Sequence, residues 1–125
     1  VILYFTTSIS SNSFLESKFI PGRIAPFIIS KKYSAVVVLK GENSIICWKD
    51  KYFICEKGNA GMATGGMGDV LSGIISSFIA QKMTLLDAAC LGVELHAEAA
   101  DEYSEAIGIN SLTPTDVLDI IKELI

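Results

Sequence analysis

The residues of this 125-residue chain best suited to chemistry lie in one stretch, Gly58-Asn59-Ala60-Gly61-Met62-Ala63-Thr64-Gly65-Gly66-Met67-Gly68-Asp69-Val70-Leu71. Five of the chain's ten glycines fall between positions 58 and 68, directly before an apolar segment with helical spacing. Glycine lets main-chain N–H groups approach a ligand with no Cβ in the way. A helix N-terminus adds unpaired N–H donors and a positive partial charge. Together they make an anion site suited to phosphate. Asp69 stands in the predicted first turn of that helix. Taken alone, a carboxylate there is more often an N-terminal charge cap than a catalyst. A cap, however, has no need of Gly65, Gly66 and Gly68 beside it. A base next to a phosphate cradle is what phosphoryl transfer requires, one group holding negative charge and another handling a proton.

Two other nucleotide motifs are excluded. No Gly-Lys-Ser/Thr follows the glycines, so the loop is not a P-loop. The GxGxxG spacing is absent and a predicted hairpin precedes the loop, so it is not a dinucleotide-binding fingerprint. His96, the one histidine, lies mid-helix among Val93, Leu95 and Ala97 and is expected to be a hydrogen-bonded core residue. Cys47, Cys55 and Cys90 form no CxxC pair and have no metal-ligand spacing. Cys47 and Cys55 could face each other across a hairpin, but buried thiols behaving as small hydrophobes are the expected reading. No metal ligands are predicted. Met62, Met67 and Met83 are expected to pack, and Trp48 and the tyrosines are too scattered for a stacking platform.

These residues must be held by regular elements. A strand is predicted over 1–5, a Ser/Thr-rich loop over 6–13, and a weak helical pattern over 14–33 with a boundary at Pro21. The run Ala-Val-Val-Val-Leu at 35–39 reads as a buried central strand. Strands at 44–48 and 52–55 flank Lys49-Asp50-Lys51 as a β-hairpin. The glycine-rich loop occupies 56–66. A helix over about 68–81 carries no charged face, which is usual for a helix central in a fold. A second starts at Thr84, with Asp87 three residues on, and runs to about 103. The last starts near Thr113, with Pro114 at its first position, and reaches 124.

Gly66-Met67-Gly68-Asp69 resembles the GxGD signature of the ribokinase-like superfamily. The longer string GNAGMATGGMGDVLSGII is similar to the narrower signature of the ADP/ATP-dependent NAD(P)H-hydrate dehydratases. The resemblance extends over about residues 31–125, including Ala35 to Gly41 upstream and Leu91-Gly92-Val93-Glu94-Leu95-His96 downstream. It implies an α/β fold, a ribokinase-like three-layer α/β/α sandwich, of which residues 1–125 are a single partial domain, the C-terminal portion. The opening on Val1-Ile2-Leu3-Tyr4-Phe5 fits a strand entered from upstream.

By the same resemblance, the turn Lys40-Gly41-Glu42-Asn43-Ser44 lies against the AMP part of the nucleotide. Gly68 contacts the nucleotide, Gly65 and Gly66 contribute to the anion hole, and Asn59 and Thr64 shape the loop or make polar contacts. Asp69 corresponds to the aspartate that reaches the hydrated nicotinamide. The implied reaction is a lyase's repair of hydrated NADH and NADPH: ADP or ATP phosphorylates the hydrate's hydroxyl, and phosphate then leaves. Mg2+ is expected with the nucleotide. A homo-oligomer and a fused or separate epimerase partner are compatible with this reading. One stretch departs from the family: Tyr4-Phe5-Thr6-Thr7-Ser8 stands where relatives carry Thr-Pro-His-Pro-Gly-Glu against the hydrate. Two alternatives therefore stay open. One is a vitamin or sugar kinase of the same superfamily, and the other is a non-catalytic nucleotide-binding remnant.

Composition narrows the field further. Half of the chain is hydrophobic and mean hydropathy is +0.47, so a sizeable core can form and disorder is disfavoured. A net charge of −4 with no basic cluster disfavours nucleic acid as a partner. The longest apolar run, 70–80, is too short to span a bilayer, which takes roughly 20 residues, so no membrane partner is expected. The odd cysteine count fits a reducing compartment, and a cytoplasmic location is expected.

Overall fold

A computed structural model describes residues 2–6 and 21–125 of the chain. The loop expected over 7–13, the start of the helical pattern at 14–20, and the departure at Thr7 and Ser8 lie outside the described residues. The chain divides into two compact units, Val1–Ile54 and Cys55–Ile125.

The first unit is a sheet and one helix: β1 (Ile2–Thr6), α1 (Pro21–Tyr33), β2 (Val36–Lys40), β3 (Ser44–Trp48) and β4 (Lys51–Cys55). The strands lie in the order β1-β2-β3-β4. β1 runs parallel to β2, with Leu3 opposite Val37, and β3 is antiparallel to β2, with Ile46 opposite Val38. β2 has neighbours on both sides, and Val36, Val37 and Val38 are buried. This is why its run is continuously apolar rather than alternating. Pro21 is a helix boundary as expected, and it opens α1, where its missing N–H costs nothing. α1 packs Phe27 and Ile29 against the cluster of Val37, Ile45 and Cys47. The buried Ser30 hydroxyl of α1 ties the residue before β2 to the turn after β3, donating to the Ala35 carbonyl (2.7 Å) and accepting from the Lys49 N–H (2.7 Å). Among the described residues β4 is an edge strand with Tyr52, Phe53 and Ile54 exposed.

The second unit holds three helices: α2 (Met67–Ala80), α3 (Leu85–Ala106) and α4 (Pro114–Leu124). Of two short 3₁₀ turns that the sequence did not announce, Ala60–Met62 precedes α2 and Ile109–Ser111 links α3 to α4. Two helix starts match the sequence reading. Thr84 caps α3 by accepting from the Asp87 N–H, and Thr113 caps α4 with Pro114 behind it. Asp116 completes a reciprocal capping box there, its carboxylate accepting from the Thr113 N–H at 2.8 Å. The core is built from Met67, Ile74, Ala99, Ala100, Leu112, Val117 and Ile121. Small residues let α2 and α3 approach closely: a Cβ at Gly92 would stand 2.6 Å from Ile75 Cγ1.

Among the described residues α2 has a buried and an exposed face. Met67, Leu71, Ile74 and Ile75 are buried, while Asp69, Ser72, Gly73 and Ser76 are exposed. Ser72 donates to the Gly68 carbonyl (2.9 Å) and Ser77 to that of Ile74 (2.9 Å), so small hydroxyls serve a wet face without a charge.

Candidate functional site

The glycine loop of the second unit is fixed at its entry, middle and exit. At its entry, Lys57 pairs with Glu94 (2.6 Å) and Glu98 (3.5 Å), one turn apart on α3. The Cys55 thiol donates to the other Glu94 oxygen at 3.5 Å. At its middle, Asn59 caps the Ala60–Met62 turn, its Oδ1 accepting from the Gly61 N–H at 3.0 Å. A Cβ at Gly61 would lie 2.5 Å from the Ile109 carbonyl oxygen, so the turn sits against the Ile109–Ser111 turn with no room for a side chain. At its exit, Gly66 adopts φ +93° as the N-cap of α2, and Met67 plugs into the core with no exposed surface. Met67 therefore points away from the loop surface, which is how the GxGD motif accommodates a bulky residue.

Around this N-terminus the expected residues separate by role. Gly66 has no side chain to cap α2. Among the described residues, the Gly68 and Asp69 N–H groups meet no acceptor in the loop, as the first turn of a helix requires. Gly65 is open, with nothing within 4 Å of where its Cβ would be. The Asp69 side chain is exposed and makes no capping hydrogen bond to the helix. Asp69 is placed where its charge meets the positive end of α2, and its carboxylate is open to solvent. Thr64 donates to the Gly61 carbonyl (2.8 Å) and shapes the loop. Asn59 donates both amide hydrogens, to the Ala100 carbonyl (3.1 Å) and to Asp101 Oδ1 (2.8 Å). With its oxygen also engaged, Asn59 is a loop-shaping residue.

In the first unit, Lys40, Gly41, Glu42, Asn43 and Ser44 form the turn from β2 into β3. Asn43 takes φ +56°, a left-handed conformation that asparagine tolerates. The Ser44 hydroxyl accepts from the Gly41 N–H (3.3 Å) and donates to the Gly41 carbonyl (3.2 Å). Lys40 is half-buried, and burial lowers its pKa from the ordinary lysine value.

His96 is buried in α3. All three cysteines are free thiols, and burial pushes the Cys47 thiol up to about 11, which keeps it protonated. Asp101, which holds the loop entry, escaped the sequence reading. Its signal was the acidic row Glu94, Glu98, Asp101, which recurs at intervals of four and three along one helix face.

The Lys57 pair has a pH signature. Its hydrogen bond to Lys57 holds Glu94 below the ordinary carboxylate range, and the same bond holds Lys57 above its ordinary value. A depressed carboxyl adds stability above its unfolded pKa and loses it as pH falls through the folded value. A raised ammonium adds stability below its unfolded pKa and loses it as pH rises through the folded one. The pair therefore acts across the neutral range, weakly, because both groups are screened by solvent. Glu94→Gln is expected to lower the melting temperature slightly at pH 7, with the gap closing below about pH 4. A gap that persists unchanged in acid would remove the pair as its source.

Comparison with known proteins agrees with this geometry. Residues 27–123 match the family model described as NAD(P)H-hydrate dehydratase. The bifunctional NAD(P)H-hydrate repair enzyme of Vibrio cholerae is 45% identical over 97 residues, 78% of this chain and 20% of the relative. The ADP-dependent (S)-NAD(P)H-hydrate dehydratase of Neisseria meningitidis is 47% identical over 78 residues, 62% of this chain and 26% of the relative. The chain thus spans about a fifth of the length of the first of these curated relatives. The crystal structure of the ADP/ATP-dependent NAD(P)H-hydrate dehydratase of Bacillus subtilis, co-crystallised with ATP/Mg2+, superposes with a TM-score of 0.82 at 24% identity, covering 98% of this chain and 46% of that one. A ribokinase-like protein of Enterococcus faecalis gives 0.68 at 26% identity, over 87% of this chain and 37% of that one. The fold is therefore ribokinase-like, and the chain belongs to the NAD(P)H-hydrate dehydratase family.

Proposed function

We propose that this chain is the nucleotide-binding, C-terminal portion of an ADP- or ATP-dependent NAD(P)H-hydrate dehydratase, a single partial domain of a lyase that repairs hydrated NADH and NADPH. The observation that carries the reading is the exposed Asp69 carboxylate in the first turn of a helix whose N-cap is a glycine. Bare N–H groups and the helix dipole attract the transferring phosphoryl group, and the adjacent carboxylate is a base. Asp69 takes the proton of the hydrate's hydroxyl as that oxygen attacks the terminal phosphorus, and the bond from phosphorus to the departing nucleotide breaks. The phosphorylated carbon then loses phosphate by cleavage of its C–O bond, with the ring nitrogen's electron pair assisting. Loss of a proton from the neighbouring carbon restores the reduced nicotinamide. Gly65, Gly66 and Gly68 serve the phosphates, and the turn from Lys40 to Ser44 serves the AMP moiety.

Mg2+ fits this reading. Magnesium keeps several waters and draws on the nucleotide's own phosphates, so it needs few protein carboxylates. Among the described residues no three His, Cys, Asp or Glu side chains converge as a metal cage, and Asp69 is the acidic group nearest to hand in the motif. Magnesium when bound would neutralise charge on the transferring phosphoryl group. The bifunctional relatives support an epimerase as fused or separate partner. The free cysteines support a cytoplasmic site of action, and no helix among the described residues is long and apolar enough to cross a membrane.

The test is to incubate the full chain with hydrated NADH, with and without ADP, and follow the return of reduced-nicotinamide absorbance. ADP-dependent recovery is the expected result. Turnover of a vitamin or sugar hydroxyl with ATP, and none of the hydrate with either nucleotide, would make the protein a kinase.

A further inference from the structure

We propose that Asp101 is a positioning residue for the nucleotide loop, setting the direction of the N–H groups at residues 65–69 through a relay of hydrogen bonds. The proposal rests on the nucleotide-binding reading of that loop. The relay starts on α3, where Asp101 Oδ2 accepts from the Gly58 N–H and Oδ1 from Asn59 Nδ2, both at 2.8 Å. Asn59 Oδ1 in turn accepts from the Gly61 N–H at 3.0 Å. The Gly61 carbonyl accepts from the Thr64 hydroxyl at 2.8 Å. Finally the Thr64 carbonyl accepts from the N–H of Met67, the first residue of α2, at 3.3 Å. Every link from α3 to the anion-facing helix N-terminus is thus made.

The first link is the one a substitution can break cleanly. Two donors from the loop converge on the two oxygens of Asp101, which only a carboxylate can satisfy together. Hydrogen bonds to an ionised acceptor are stronger than neutral ones. The Gly58 backbone is held at φ +108°, with its missing Cβ 2.9 Å from Met62 Sδ. A side chain at position 58 would therefore have to displace the tip of Met62, which packs against the core. Asp101 touches neither nucleotide nor substrate in this scheme; it acts through Asn59.

The test is a double-variant cycle on ADP affinity in the full chain, read by calorimetry alongside the melting temperature. Asp101→Asn turns one acceptor into a donor facing a donor, and is expected to weaken ADP binding about tenfold. Asn59→Asp sets carboxylate against carboxylate and is expected to weaken it by about as much. In Asn59→Asp/Asp101→Asn the amide and carboxylate exchange places. The oxygen at position 101 then accepts from the Gly58 N–H and its amide donates to position 59, while a carboxylate oxygen at 59 now faces the Ala100 carbonyl, acceptor against acceptor. ADP affinity tighter than in either single variant is expected, a coupling that independent sites would not show. If the parent binds ADP and Asp101→Asn matches it while melting lower, Asp101 is merely structural and the proposal falls. A double variant no tighter than the weaker single also overturns it. Should Asp101→Asn fail to fold, the contrast of Asn59→Asp with the double carries the same decision. A parent that binds no ADP overturns the function reading first, and this proposal with it.

Discussion

Asp69→Asn is expected to cut ADP-dependent recovery of reduced nicotinamide by about a thousandfold, within the range usual for loss of a general base, while ADP affinity stays within a few-fold of the parent. The amide has the size of the carboxylate but cannot accept the hydroxyl proton. The same substitution decides between the two roles open to a carboxylate in a first helical turn. A charge cap would lose up to about 1 kcal/mol of stability with its charge and leave turnover intact. A base would lose turnover and leave stability alone. The proposed function predicts the second split, and exposure of the Asp69 side chain limits what its charge can add to stability. Its removal should shift stability by no more than about 0.5 kcal/mol, as for other surface substitutions. Parallel measurement of turnover, ADP affinity and urea midpoint gives the answer. Full activity in Asp69→Asn would move the base elsewhere and leave the glycine loop as a binding element alone.

Much of the framework was legible because each element carried its own signal. The apolar run of β2 announced a strand with neighbours on both sides. Thr84 with Asp87, and Thr113 with Pro114, announced helix starts through side-chain oxygens that satisfy N–H groups. The end of α3 was less legible. The helix was expected to stop near Tyr103, its last partly buried apolar residue, yet it continues to Ala106. The final turn, Ser104-Glu105-Ala106, tolerates helix without needing burial on every side. Gly108 then takes φ +122° as the chain leaves the helix, so the stop signal was the glycine and not the loss of apolar spacing.

The supports of the candidate site were harder still to read. Asp101 lies 42 positions beyond Asn59. A carboxylate on a helix face reads as a solvated charge until the loop that it holds is known. Pro114 was legible as a helix start, but not as the wall against which Gly66 packs. Local chemistry thus pointed to the residues that the proposed nucleotide would meet. The residues that aim them act at a distance in sequence and become visible only through contacts.

That division also separates the glycines. Gly66→Val is expected to lower the stability of the protein by about 3 kcal/mol, from a positive φ that a β-branched residue resists, about 1–2 kcal/mol, and from crowding in a packed site, about 1–3 kcal/mol. The φ there is +93°, and a Cβ would meet Pro114 Cγ at 3.1 Å. Gly65 has no such reason to be glycine: its φ is not positive and its Cβ would meet nothing within 4 Å. If Gly65 were merely a turn residue, Gly65→Val would be nearly silent. If its surface receives phosphate, a side chain placed there stands where the ligand must come, and ADP affinity falls by about a hundredfold or more, the cost of a few lost charge-assisted hydrogen bonds. The expected pattern is therefore reciprocal. Gly66→Val loses stability and, through the displaced start of α2, binding as well; Gly65→Val loses binding at unchanged urea midpoint. A Gly65→Val protein that binds ADP like its parent would show that the phosphates lie elsewhere, because no feature of the fold would then account for a glycine at that position.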